Sequence, residues 1–109
     1  MELLMVILNR EDYFERILSI LVELGASGAT ILDGEGLGHF LAFEVPIFAG
    51  LRQLVGEKKK ANKIILALVE KNFLSQFKDL LEEEEIDFSQ PDTGLIITLP
   101  VSGTVGLRE

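Results

Sequence analysis

Cysteine is absent from the 109 residues, which excludes disulfide bonds, thiolate metal ligands and a cysteine nucleophile. Histidine occurs once, at His39, so a single chain cannot build a metal centre on several imidazoles. Cations are scarce. Ten Lys plus Arg stand against eighteen Asp plus Glu, a formal net charge of −8. A surface that acidic repels nucleic acid and anionic lipid, so neither is expected as a partner, although a local basic pocket can still hold a small anion. Long apolar runs are missing too. No stretch approaches the roughly 18 residues of a membrane helix. Met1 to Leu8 is apolar, but it lacks a basic flank and is too short for a secretory leader. The expectation is a cytoplasmic protein that is not integral to a membrane.

Apolar residues are plentiful, at 48% of the chain. A body this small has much surface for its volume, so a share of that apolar material must lie exposed or in an interface. The chain is therefore expected to form one domain, 1–109, that associates with itself.

Periodicity places the elements. Leu3 to Leu8 is a continuous apolar run, as in a strand covered on both faces at the centre of a sheet. Asn9 is positioned to cap a following helix, with Glu11 and Asp12 in its positive first turn. Phe14, Ile17, Leu18, Leu21 and Val22 recur at helical spacing, and Gly25 supplies a left-handed terminus. Ala29 to Leu32 reads as a second strand, continued by Phe40 to Val45 until Pro46 interrupts it. Between them Gly34, Gly36 and Gly38 alternate, as in a bulge or turn. Gly50 and Gly56 flank a helical turn. Lys63 to Val69 is a third strand. Asn72 is placed to cap a second helix bearing Phe73, Leu74, Phe77, Leu80 and Leu81, and Glu82 to Glu85 form its solvated, fraying end. After the Pro91-Asp92-Thr93-Gly94 turn, Leu95 to Val101 is the last strand; 102–109 is the C-terminal tail, in which Gly103 to Arg108 reads as a short edge strand.

This order predicts an α+β, ferredoxin-like β-α-β-β-α-β sandwich with both helices on one face of an antiparallel sheet. The other face then needs cover, which three subunits pooling their sheets would provide.

Two stretches carry a family resemblance. Glu23-Leu24-Gly25-Ala26-Ser27-Gly28-Ala29-Thr30-Ile31, leading to Gly36-Leu37-Gly38, is similar to the end of the first helix, second strand and loop entry of the PII nitrogen-regulatory signal proteins. Gly94-Leu95-Ile96-Ile97-Thr98-Leu99-Pro100-Val101 is similar to that family's final strand. Ile47-Phe48-Ala49-Gly50 resembles part of its long T-loop, and Ile64 to Val69 its third strand. The resemblance implies a homotrimer whose inter-subunit clefts bind ATP or ADP and 2-oxoglutarate. It also implies that residues 39–60, the T-loop-like insertion, dock on a transporter or metabolic enzyme. Thr30, Gly36 and Gly38 match one side of the nucleotide cleft, Gly94 the last glycine of a phosphate-cradling loop, and Arg108 the second of two C-terminal arginines. Backbone N–H groups and cations are what such a cradle offers to phosphate charge.

The chain also departs from the family. The Gly-Asp-Gly-Lys loop reads Asp92-Thr93-Gly94-Leu95, the first C-terminal arginine is Gly106, and the modified T-loop tyrosine aligns with Gln53. Phe40 displaces a glutamine that helps hold metal and 2-oxoglutarate. The cofactor is therefore unassigned, with ATP or ADP implied by resemblance alone.

Remaining features have plain readings beside sharper ones. His39 is either an ordinary loop histidine or, with Asp33, Glu35 and Glu44, part of a cation site at a cleft. The apolar residues from Phe40 to Val55 either anchor a partner or fold back as ordered structure. Lys58, Lys59 and Lys60 form a solvated cluster or replace lost phosphate-binding cations. No acid/base pair or activated nucleophile is apparent, so no enzyme is expected. The expected function is a PII-like signalling module. The alternative is a trimeric ferredoxin-like protein binding a small ligand or metal ion without nucleotide.

Overall fold

The computed structural model describes residues 1–26, 28–55 and 61–107. Strand β1 (Glu2–Leu8) leads through a 3-10 turn at Glu11–Tyr13 into helix α1 (Phe14–Glu23) and then strand β2 (Thr30–Gly34). Helix α2 (Leu37–Glu44), a 3-10 segment at Pro46–Leu51 and helix α3 (Arg52–Val55) follow. Strand β3 (Asn62–Val69), helix α4 (Phe73–Glu83) and strand β4 (Gly94–Pro100) complete the order. The architecture is α+β, with one antiparallel sheet in the order β2-β3-β1-β4, compatible with a ferredoxin-like fold. The longest helix, α4, has eleven residues. None among the described residues is long and apolar enough to cross a membrane.

Because successive strand residues point to opposite faces, the two faces can be read from the register. Leu4, Val6 and Leu8 share one face with Ala67 and Ile65, and α1 and α4 cover it with Ile17, Ile20, Leu21, Phe73, Phe77 and Leu81. Each such side chain contributes about 1.5–3 kcal/mol on leaving water, so this layer accounts for the fold. The opposite face carries three aligned rows: Leu3 with Leu68 and Leu99, Met5 with Leu66 and Ile97, Ile7 with Ile64 and Leu95. None of the described helices covers this grid. Leu95 is 54% exposed, Leu99 47% and Leu68 41%. The central position expected of β1 is observed, but only one of its faces is buried within the chain. The radius of gyration, 16.0 Å, exceeds the roughly 13 Å usual for a hundred-residue globule, consistent with a slab one sheet and one helix layer thick.

Several local expectations are corrected. Asn9 caps no helix; its N–H donates to Thr93 O at 2.9 Å, and α1 begins after Tyr13 without a side-chain cap. Asn72 does precede α4, also without a side-chain cap bond. Phe40 to Val45 does not extend β2. Gly36 adopts an extended conformation as the N-cap of α2, which absorbs Gly38, so the alternating glycines span a strand end, a cap and a helix. The helical turn between Gly50 and Gly56 is present as α3. Residues 101–104 and 107 have no regular structure, so the described part of the tail is not an edge strand.

Helices α1 and α4 end alike. In α1, Gly25 at φ +88° lets its N–H reach Val22 O while Ala26 N–H reaches Leu21 O. In α4, Glu85 N–H reaches Glu82 O and Ile86 N–H reaches Leu81 O, with Ile86 buried. The acidic end is solvated as expected, but it is closed rather than frayed, and Arg16 donates to Glu84 O at 2.9 Å. Glu85 achieves this at φ +58°, which a side chain disfavours. Glu85→Gly is expected to stabilise the protein by about 1 kcal/mol, read as a higher urea midpoint at unchanged slope.

Candidate functional site

The expected site residues fall into separate places. Thr30 opens β2 at one edge of the sheet, aligned with Leu66. Gly94 opens β4 at the opposite edge, aligned with Leu8. Three strand spacings, about 14 Å, separate those edges. Gly36 and Gly38 lie beyond the β2 end, at the start of α2. One chain therefore brings Thr30, Gly36 and Gly38 to one edge and leaves Gly94 on the other. Arg108 and the cluster Lys58, Lys59 and Lys60 lie outside the described residues.

Beside Thr30 is a cavity of about 370 Å³, at the lower end of the size range of small-molecule sites. Its wall comes from the loop after α1 (Gly25, Ala26, Gly28), from Leu66 and Leu68 of β3, and from Leu107 of the tail. The glycine-closed end of α1 makes this room, because the chain turns away there before β2 begins. Among the described residues the wall is mostly apolar and backbone, and the Thr30 hydroxyl is its one side-chain hydroxyl.

The turn before Gly94 is built by short-range bonds. Asp87 accepts the Ser89 hydroxyl at 2.7 Å, the Ser89 backbone N–H at 2.9 Å and Gln90 Nε2 at 3.3 Å. Those donors, the Ser89 hydroxyl foremost, hold its carboxyl below the usual carboxylate value. Gln90 N–H then returns to Asp87 O, and the Asn9 N–H bond to Thr93 O docks the turn on the end of β1. Thr93 is wholly buried, its hydroxyl without a hydrogen-bond partner. Nothing in the sequence marks it, since threonine in such a turn is ordinarily exposed. Asp92, at φ +59°, is exposed. Gly94 has φ +145°, and a Cβ there would run into Ile7 O of the neighbouring strand. Near the same end of β1, Arg10 forks onto Asp12, which lowers that carboxyl's pKa, and the Arg10 guanidinium lies 4.3 Å from the Tyr13 ring centroid.

The described part of the 39–60 insertion is ordered helix. His39 and Ala42, one turn apart on α2, are buried. The His39 ring lies 5.0 Å from that of Phe43, and its Nδ1 is 4.0 Å from Glu35 Oε2. Arg52 Nε donates to Ala42 O at 2.9 Å, with its guanidinium 5.2 Å from the Phe43 ring. Leu37, Phe40, Ile47, Phe48 and Leu54 are left exposed. Of Asp33, Glu35, Glu44 and His39, Glu35 and His39 approach each other within the chain, while Asp33 is paired with Lys63. Among the described residues no three His, Asp or Glu side chains gather as a metal site.

Gly94→Ala is expected to cost several kcal/mol, since strain at positive φ adds to a backbone collision; thermal unfolding measures it. The lowered Asp87 pKa implies stability that is present above about pH 4 and lost as pH falls through the folded value. Asp87→Asn, which cannot titrate, should show a flatter loss of urea stability between pH 6 and pH 3 than the parent chain.

No protein-family model matches the chain, and no curated protein does.

Proposed function

We propose that the chain is a PII-like regulatory module: a homotrimer that takes a small effector at clefts between subunits and acts on a partner protein through residues 39–60. The observation that carries this reading is the uncovered three-by-three aliphatic face of the sheet. Nine aliphatic side chains in register on one face are a large exposed patch for so small a chain, and a closed oligomer removes it. In the trimer we propose, the β2 edge of one subunit would lie towards the β4 edge of another. Thr30 with its cavity would then meet the Gly94 turn, which a single chain keeps apart. The exposed apolar residues of the helical insertion supply anchors for a partner.

The resemblance suggests ATP or ADP as effector. One observation favours the second reading, a ferredoxin-like trimer that binds a small ligand without nucleotide. Leu95 occupies the place of the family's phosphate-binding lysine, and strand alternation commits it to the apolar face with Ile7 and Ile64. With Asp92 exposed one turn earlier, the phosphate end of such a cleft is short of cations.

Light scattering is expected to give the mass of a trimer, and Met5→Glu, which puts a charge at the centre of the aliphatic grid, is expected to give monomers. A monomeric parent chain would remove both readings. Calorimetry with ATP, ADP and AMP, with and without magnesium, separates them. The first expects binding weakened about tenfold or more by Arg108→Ala, the loss of one charged hydrogen bond. An absence of heat from all three nucleotides leaves the second.

A further inference from the structure

The strand register reveals which backbone groups of the sheet are left over. Asn9 N–H donates to Thr93 O and Val101 N–H to Met1 O, and both pairs continue the β1–β4 register. In an antiparallel ladder, hydrogen-bonded pairs alternate with pairs that lack such bonds. The odd-numbered residues of β1 therefore bond to β4, and the even-numbered ones to β3. Carried through the β1–β3 register, this alternation turns the N–H and C=O of Asn62, Ile64, Leu66 and Leu68 away from β1, towards β2. Three of the four are met there. Gly34 lies opposite Asn62, Leu32 opposite Ile64 and Thr30 opposite Leu66. The ladder then stops, because β2 begins at Thr30. Leu68 holds the next place in the alternation, where the same register would put Gly28, a residue of the turn before β2. Among the described residues, no backbone hydrogen bond reaches Leu68 from that side. The cavity beside Thr30 fills this gap: Leu68, Gly28 and Thr30 all line it, and Leu68 is 41% exposed.

We propose that this cavity takes an uncharged planar heterocycle that hydrogen-bonds the open backbone of Leu68. A ring acceptor receives the Leu68 N–H and a neighbouring N–H of the ligand donates to the Leu68 C=O, as a 2-aminopyrimidine or a lactam can do. The ligand stands in for the strand residue that β2 lacks at this level. Its charge is set by the wall, in which no described residue is ionised, so a charged group would lose water without gaining a partner. A purely apolar ligand would instead bury the donor and acceptor of Leu68 unmet. Leu3, Leu66 and Ala26 supply apolar surface for the ring, and about 370 Å³ leaves room for substituents. The ligand class rests on reading this cavity as the effector site, but the open amide does not.

Amide hydrogen exchange on the full chain alone tests the open pair. The Leu68 amide is expected to exchange about a hundredfold faster than those of Leu66 and Ala67, which the ladder holds on either side. Equal protection would overturn the proposal, because the Leu68 amide would already be engaged. Titration with 2-aminopyrimidine at up to about 10 mM, a range suited to so small a ligand, is then followed by nitrogen–proton correlation spectra. The Leu68 amide is expected to shift and to become protected from exchange. Pyrimidine, which keeps the acceptor but lacks the donor, is expected to bind about fivefold more weakly, the worth of one hydrogen bond. Gly28→Phe, at a position where a Cβ would meet nothing within 4 Å, puts a ring at the cavity and is expected to abolish binding while leaving the other strand amides unshifted. No binding of 2-aminopyrimidine, binding that leaves Leu68 unmoved, or pyrimidine bound as tightly would each overturn the ligand class. Light scattering reads the assembly separately. A trimer that ignores the probe removes the ligand class alone, and a monomer that binds it removes the trimer alone.

Discussion

The antiparallel pairing of β1 with β3 is the constraint on which the rest depends. Seven cross-strand pairs, from Glu2 with Val69 to Leu8 with Lys63, place aliphatic residues on both faces of the sheet's centre. Two helices are enough to cover one face, and the described residues contain only two of ten residues or more. Everything else follows from that shortage. The helices bury Leu4, Val6 and Leu8, the edges are left to β2 and β4, and the aliphatic grid on the other face remains half-exposed.

The same constraint places the chemistry. Each β-α-β unit here passes over one strand, so β2 and β4 end on opposite edges and the loops that start them do not meet in one chain. Thr30 and its cavity sit at one edge, and the rigid Asp87–Gly94 turn sits at the other. That turn is a firm structure, with a carboxylate collecting three donors, Thr93 buried and Gly94 pressed on the carbonyl of Ile7. The insertion is equally built. Arg52 ties α3 to the end of α2, and His39 and Phe43 pack one turn apart.

Much of the fold was readable from periodicity. The four strands, α1 and α4 lie where alternation and helical spacing placed them, and Gly25 ends α1 as its conformational freedom requires. The failures have physical causes. Leu37 to Phe43 is apolar on every side as a helix, so neither period stood out, and tertiary packing against the 3-10 segment decided the matter. Asn9 looked like a cap, but its N–H was needed by Thr93 O, a partner 84 positions away in sequence. Glu85 looked like a fraying residue because four glutamates sit badly against the negative end of the helix dipole, yet it takes φ +58° and buried Ile86 follows it. For the candidate site, Thr30, Gly36, Gly38 and Gly94 were identified by motif, but their separation onto two edges became visible only with the strand order. Thr93 and the cavity beside Thr30 left no signal in the sequence.

Leu95 carries a consequence for how such a chain can change over evolutionary time. It immediately follows the glycine whose backbone the turn requires, yet its side chain is committed to the grid with Ile7 and Ile64. A cation introduced there to serve the turn would also plant a charge among the eight other aliphatic residues of the grid. One position is thus read twice, by whatever the turn meets and by whatever covers the sheet. Selection on either property constrains the other, and a change of ligand at this corner demands compensating substitutions across the whole face.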